Sequence, residues 1–152
     1  MTGIYFEYLN CGNVDSYITY LRRAFSEEPE EMMAAEVDAE VIKERLDMSF
    51  YQNTKSILAI ERDTVVGRIE YHFYGCIQDG YRMAYVDWVY VLRDYRRRGI
   101  AARLFREFEK DCKENGIHQY YLICAENQAA EAFYKSFVDA EIENVPVFRK
   151  TF

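Results

Sequence analysis

At 152 residues, half of them hydrophobic, the chain can bury the core of one ordinary domain without disulfide or metal staples. A formal net charge of −7 and a pI near 4.9 exclude the broad basic surface of a nucleic-acid-binding protein and favour cationic partners. The four cysteines, Cys11, Cys76, Cys112 and Cys124, have no C-x-x-C spacing and no short histidine pattern beside them. Neither a metal site nor a disulfide framework is expected, and reduced thiols of a cytoplasmic protein are the simple reading.

The N-terminal stretch MTGIYFEYLN carries no basic leader, and no run of about 18 apolar residues occurs, which predicts neither a targeting segment nor a membrane span. Residues 4–9 (IYFEYL) read as a short first strand, after which Val14, Tyr17, Ile18, Leu21, Ala24 and Phe25 recur at helical spacing. Beyond the acidic patch SEEPEE, Val41, Ile42, Leu46 and Phe50 mark a second amphipathic helix that Asp38 is placed to cap. SILAIERD (56–63) and VVGRIEYHFYG (65–75) form two strands of a meander joined by a tight turn near Arg62 and Asp63. The Asp-Gly of IQDG then leads into a long strand, YRMAYVDWVYVL (81–92).

After that strand the hydrophobic period lengthens from two to about 3.6. Ile100, Leu104, Phe105, Phe108 and Cys112 share one helical face, Asn115-Gly116 provides its C-cap, and HQYYLICA (118–125) is the next strand. A strand-helix-strand unit of this length implies a parallel pair. Residues 127–137 make a last helix and VPVFRKTF a closing strand. No repeat, low-complexity tract or linker divides the chain, so the reading is one α/β domain over residues 1–152 with a mixed sheet.

The stretch LRDYRRRGIA (92–101) sets Arg93, Arg96, Arg97 and Arg98 between the long strand and the following helix. A helix start exposes unpaired N–H groups and the positive end of its dipole, and Gly99 with small Ala101 lets those donors approach a phosphate closely. Arginines add charge-assisted hydrogen bonds. Arg97 and Arg98 are expected to serve the loop or the nucleotide's phosphates, and Arg93 reads as surface charge. There is no G-x-x-x-x-G-K-(S/T) and no G-x-G-x-x-G, so neither a P-loop nor a dinucleotide fingerprint accounts for the loop.

What remains is R-x-x-G-x-A, Arg96 to Ala101, following the strand WVYV. It resembles the pyrophosphate-binding motif of the GNAT superfamily of N-acetyltransferases, written (R/Q)-x-x-G-x-(G/A). Asn127, Ala130 and Tyr134 repeat the spacing of that family's N-x-x-A-x-x-x-Y helix, and the order of elements matches over essentially the whole chain. The resemblance implies a mixed, mostly antiparallel sheet with a central parallel strand pair, flanked by about four helices. It implies acetyl-coenzyme A as acetyl donor, without a metal, and an amine-bearing small molecule or peptide as acceptor. By the family's pattern, main-chain groups of Val89, Tyr90 and Val91 hold the pantetheine arm, and amides from Arg96, Arg97 and Arg98 through Gly99 and Ile100 to Ala101 cradle the pyrophosphate. Asn127 touches or orients the pantetheine, and Tyr134 lies near the thioester sulfur. The chain departs from many members at Val138 and Asp139, where a Gly-Phe pair is usual.

An alkylamine acceptor has a pKa near 10.4, so direct attack on a thioester needs a group that takes or relays a proton, donors for the oxygen that gains charge, and an acid for the departing sulfur. A backbone N–H near Val89 is the family's candidate donor. Tyr134 fits the acid, its alternative being packing beside Phe133 and Phe137. For the base, a two-residue loop at Asp79-Gly80 pairs His72 with Asp87, whereas a four-residue loop IQDG pairs Glu70 with Asp87. Either register puts Glu70, His72 and Asp87 on one face, as proton acceptors, as holders of the acceptor's ammonium, or as a solvated polar cluster. SEEPEE reads as a solvated loop or a lure for cationic acceptors, and Cys124 as a structural thiol or a neighbour of the thioester. Trp88 and the tyrosines serve the core, an acceptor cleft or a homodimer surface. A non-catalytic acyl-CoA-binding sensor or interaction module is the alternative to the enzyme.

Overall fold

The computed structural model describes residues 3–31 and 36–152. They fall into two compact units, one ending at Leu122 and one running from Ile123 to Phe152.

The first unit follows the expected order. Strand β1 (Tyr5–Tyr8) leads to helix α1 (Val14–Glu27) and, after a 3-10 turn at Pro29–Glu31, to helix α2 (Ala39–Asp47). Asp38 caps α2 as its position predicts, its side chain accepting from the amides of Glu40 (3.1 Å) and Val41 (3.2 Å). Phe50 departs from the expectation. It lies beyond the helix in a 3-10 turn (Ser49–Tyr51) and is 83% exposed, because α2 ends at Asp47 and the helical register does not reach it.

Strands β2 (Thr54–Glu61), β3 (Thr64–Gly75) and β4 (Arg82–Val91) form an antiparallel meander, with β1 against β2. Arg62 (φ 48°) and Asp63 (φ 62°) are both left-handed, the conformation a two-residue hairpin turn demands. Helix α3 (Ile100–Glu114) then crosses to β5 (Gln119–Tyr121), which lies parallel to β4 at Met83–Tyr85. The sheet order is β1-β2-β3-β4-β5. Gly116 (φ 65°) closes α3: its amide reaches the Lys113 carbonyl, and that of Ile117 reaches the Cys112 carbonyl.

Helix α1 packs on β3, and α3 on β2, β3 and β4 from the other face, which explains why these strands read as near-continuous apolar runs. Leu58, Ile60, Tyr90 and Leu92 meet Tyr17, Tyr20 and Ala24 of α1. On the α3 side Phe108 is fully buried with its ring 4.6 Å from that of Tyr71. Burial of a Phe or Leu side chain there stabilises by roughly 1.5–3 kcal/mol.

Two expectations near the C-terminus need correcting. The strand read over 118–125 is regular only at Gln119–Tyr121, and VPVFRKTF, expected as a closing strand, carries no regular secondary structure. Val147 and Phe148 are exposed, so alternation there does not bury a face. In the second unit the one helix is α4 (Gln128–Lys135), capped by Asn127.

Candidate active site

The turn from β4 into α3 is built largely from backbone conformation. After Val91 the chain makes a 3-10 turn (Arg93–Tyr95), Arg97 adopts φ 59° and Gly99 φ 71°, and α3 begins at Ile100 with no side chain capping it. A Cβ on Gly99 would meet nothing within 4 Å, so the glycine supplies a left-handed residue in front of open space. Uncapped amides at the α3 start and the positive end of its dipole face that space, an arrangement that fits a diphosphate.

The arginines divide their work differently from the sequence reading. Arg96 donates from Nε to the Val91 carbonyl (2.9 Å), pairs with Glu28 (3.1 Å) and lies over the Tyr90 ring (5.1 Å). Arg93 is more than surface charge. Its amide donates to Glu27 (3.0 Å) and its side chain pairs with Glu28 (3.3 Å). Arg98 pairs with Glu61 (3.5 Å) and lies over Tyr95. Arg97 has no ion pair among the described residues. Within SEEPEE two acids are structural: Glu27 also accepts from the Tyr90 hydroxyl (2.9 Å), and with Glu28 it ties the end of α1 to the loop, while Glu30 is exposed.

Along β4, β5 pairs only with Met83–Tyr85, so Val86 to Val91 have no strand neighbour on that side among the described residues. Val89, Tyr90 and Val91 belong to this open edge. The hairpin uses the four-residue IQDG loop, Cys76 and Tyr81 joining across it, but a bulge after Glu70 sets Trp88 opposite Glu70 and leaves Asp87 as the extra residue. Asp87 reaches His72, Nδ1 to Oδ2 at 3.4 Å. Partial burial raises the Asp87 carboxyl above its ordinary value, with His72 opposing and Glu70 adding to the shift. Glu70 is committed elsewhere, accepting from Arg68 (3.0 Å) and Ser56 (2.9 Å).

Asp87 and Glu70 border a cavity of about 730 Å³ lined from β1, α1, α2, β2, β3 and β4, with Tyr8, Tyr17, Phe25, Tyr51 and Trp88 among its walls. Arg68 is buried beside it, donating to the Tyr17 hydroxyl (2.6 Å) and lying over the Tyr17 and Trp88 rings. Trp88, half-buried, is thus a cavity wall.

In the second unit, Asn127 Oδ1 accepts from the Ala130 amide (2.8 Å), which accounts for the N-x-x-A spacing as a helix cap. Tyr134 packs with Phe133 and Phe137, and burial, with the Cys124 thiol adding, pushes its hydroxyl up to about 12. Cys124 is a half-buried free thiol.

A model of the GNAT acetyltransferase family matches residues 14–137. The chain belongs to the GNAT family of acetyltransferases. An aminoglycoside acetyltransferase from an uncultured soil metagenomic sample, solved with trehalose, shares 20% identity at a TM-score of 0.81, covering 98% of this chain and 96% of that one. A ribosomal-protein-alanine N-acetyltransferase from Brucella melitensis shares 17% at 0.76, covering 97% and 100%. A possible acetyltransferase from Clostridium difficile shares 22% at 0.73, covering 98% of each chain. At these identities the likeness establishes the fold. No curated protein sequence matches the chain.

In this acetyltransferase no group of three or more metal-ligating side chains occurs among the described residues, and no helix there is long and apolar enough to cross a membrane. Sequence reasoning missed Arg68, whose signal was a cation two residues from Glu70 on one strand face. It also missed Asp111 of α3, which accepts from Lys55 (2.8 Å) and Tyr71 (2.6 Å).

Proposed function

We propose that the chain acts as a single cytoplasmic domain, residues 1–152, that transfers the acetyl group of acetyl-coenzyme A to a primary amine by direct attack in a ternary complex. The observation that carries this reading is the left-handed Gly99 before an uncapped α3, with open space where a side chain would stand.

When bound, acetyl-coenzyme A supplies an electrophilic thioester carbonyl. The amides from Arg97 to Ala101 hold the diphosphate, with Arg96 holding the loop rather than the ligand, and Arg97 and Arg98 adding charge. The open edge of β4 at Val89, Tyr90 and Val91 receives the pantetheine arm, and the Val89 N–H serves the oxygen that gains negative charge. Asn127, its Oδ1 spent on the cap, has its side-chain amide for the pantetheine. Asp87 is the better base of the two carboxylates: its raised pKa favours taking a proton, whereas Glu70 is engaged by Arg68 and Ser56. Tyr134, which burial keeps protonated, gives its proton to the departing sulfur.

Thermal unfolding with and without coenzyme A and acetyl-coenzyme A tests donor binding, and an amine panel with thiol release tests turnover. At a concentration 100-fold over Kd, a donor that binds only the folded chain adds about 2.7 kcal/mol of stability. No donor-dependent rise in Tm sinks the reading, and a rise without thiol release from any amine leaves an acyl-CoA-binding module instead.

A further inference from the structure

The charges lining the cavity beside Asp87 are of both signs, and most are already spent. Asp38 caps α2, Lys55 pairs with Asp111, and Glu70 pairs with Arg68. Two acids, Asp87 and exposed Glu36, line it without a Lys or Arg partner among the described residues. Arg45, on α2, likewise makes no ion pair among the described residues and lies over the Tyr51 ring, 6.0 Å from its centroid.

Arg45 and Arg68 both line the cavity together with Tyr17, and Arg68 lies over the Tyr17 ring. Arg68 is buried, and its Nε has no hydrogen-bond partner among the described residues, which leaves its charge only partly offset by Glu70. At the β4 bulge the unspent group is the carboxylate of Asp87, with His72 beside it. Tyr8, Leu21, Phe25, Ile42 and Trp88 share the same lining.

Resting on the acetyltransferase reading above, we propose that the acceptor is an amine carrying a carboxylate on an apolar or aromatic body, its ammonium toward Asp87 and its carboxylate toward Arg45. A polyamine or aminoglycoside would bring its further ammonium groups against Arg45 and Arg68, a like-charge contact that counts against it. A planar guanidinium is also the side chain best matched to a carboxylate.

L-Phenylalanine, phenethylamine and spermidine separate these classes. Acetylation of L-phenylalanine is expected to exceed that of phenethylamine at least tenfold in kcat/KM, with spermidine lowest, and Arg45→Glu is expected to bring the first ratio to about one or below. The sole tryptophan, Trp88, lines the cavity, so its fluorescence follows binding directly with coenzyme A present. L-Phenylalanine should half-saturate that signal at lower concentration than phenethylamine in the wild type and not in Arg45→Glu. Preference for spermidine or phenethylamine, no turnover of L-phenylalanine, or a ratio unmoved by Arg45→Glu overturns the inference. If acetyl-coenzyme A still raises Tm in those cases, the acetyltransferase reading stands and this one alone falls; without that rise both fall.

Discussion

The loop at the start of α3 and the cavity beside β4 are built by opposite means. The loop depends on backbone: two left-handed residues, Arg97 and Gly99, and an uncapped helix start within a few consecutive positions. The cavity depends on side chains from six elements, joined through one buried guanidinium, Arg68. A site made of local backbone tolerates change around it, whereas one made of distant side chains fails when its central member is removed. Mutations should separate the two.

Arg68→Ala should have the largest effect. It strips Glu70 and the Tyr17 hydroxyl of their buried partner, and breaking a buried pair typically costs about 3–5 kcal/mol. Because Glu70 is about a quarter exposed, about 3 kcal/mol is expected, read as a shift in denaturation midpoint with unchanged slope. Coenzyme A should still raise the variant's Tm; loss of that response would show that the two regions are one construction.

Asp87→Asn comes next, with kcat/KM lower by about a hundredfold, the low end for a positioned base. A base works only when deprotonated, so the wild-type rate should fall as pH drops through the Asp87 pKa, which burial sets above the ordinary carboxyl value. The variant should lose that acidic limb and keep its donor affinity. An unchanged rate and profile would return Asp87 to the role of a solvated partner for His72.

Gly99→Ala probes the other region. Open space means that the methyl group meets no clash, so the cost is the left-handed backbone alone, about 1–2 kcal/mol. Coenzyme A affinity measured by calorimetry should fall about tenfold, with the KM for an amine at saturating donor unchanged.

The same contrast explains what the sequence disclosed. The R-x-x-G-x-A loop and the Asn127 cap are short-range: each needs only neighbouring residues, so spacing reveals them. Periodicity likewise revealed α1, α3 and the meander. The face shared by Glu70, His72 and Asp87 was legible, but its contacts were not, because the bulge after Glu70 shifts the register without interrupting the alternation. Arg68 and Asp111 were hidden for a related reason. Whether a charged residue is buried depends on partners 40 or more positions away, Tyr17 and Tyr71 respectively. The closing strand failed because alternation alone cannot say whether a face has anything to pack against.

Glu28→Gln is the smallest of the changes and the one that tests where the two constructions meet. Glu28 follows α1, whose side chains line the cavity, yet its carboxylate holds Arg93 and Arg96 of the donor loop. Those arginines are about half exposed, so each pair contributes only about 0.2–1 kcal/mol, and because glutamine keeps a hydrogen-bond acceptor and loses only the charge, a two- to fivefold loss of coenzyme A affinity is expected, larger at low salt. If the loop holds its shape through Gly99 and Arg97 alone, affinity will not move. If it moves, and the KM for an amine moves with it, α1 carries a mechanical link between donor and acceptor ends, because one helix would then set the geometry of both.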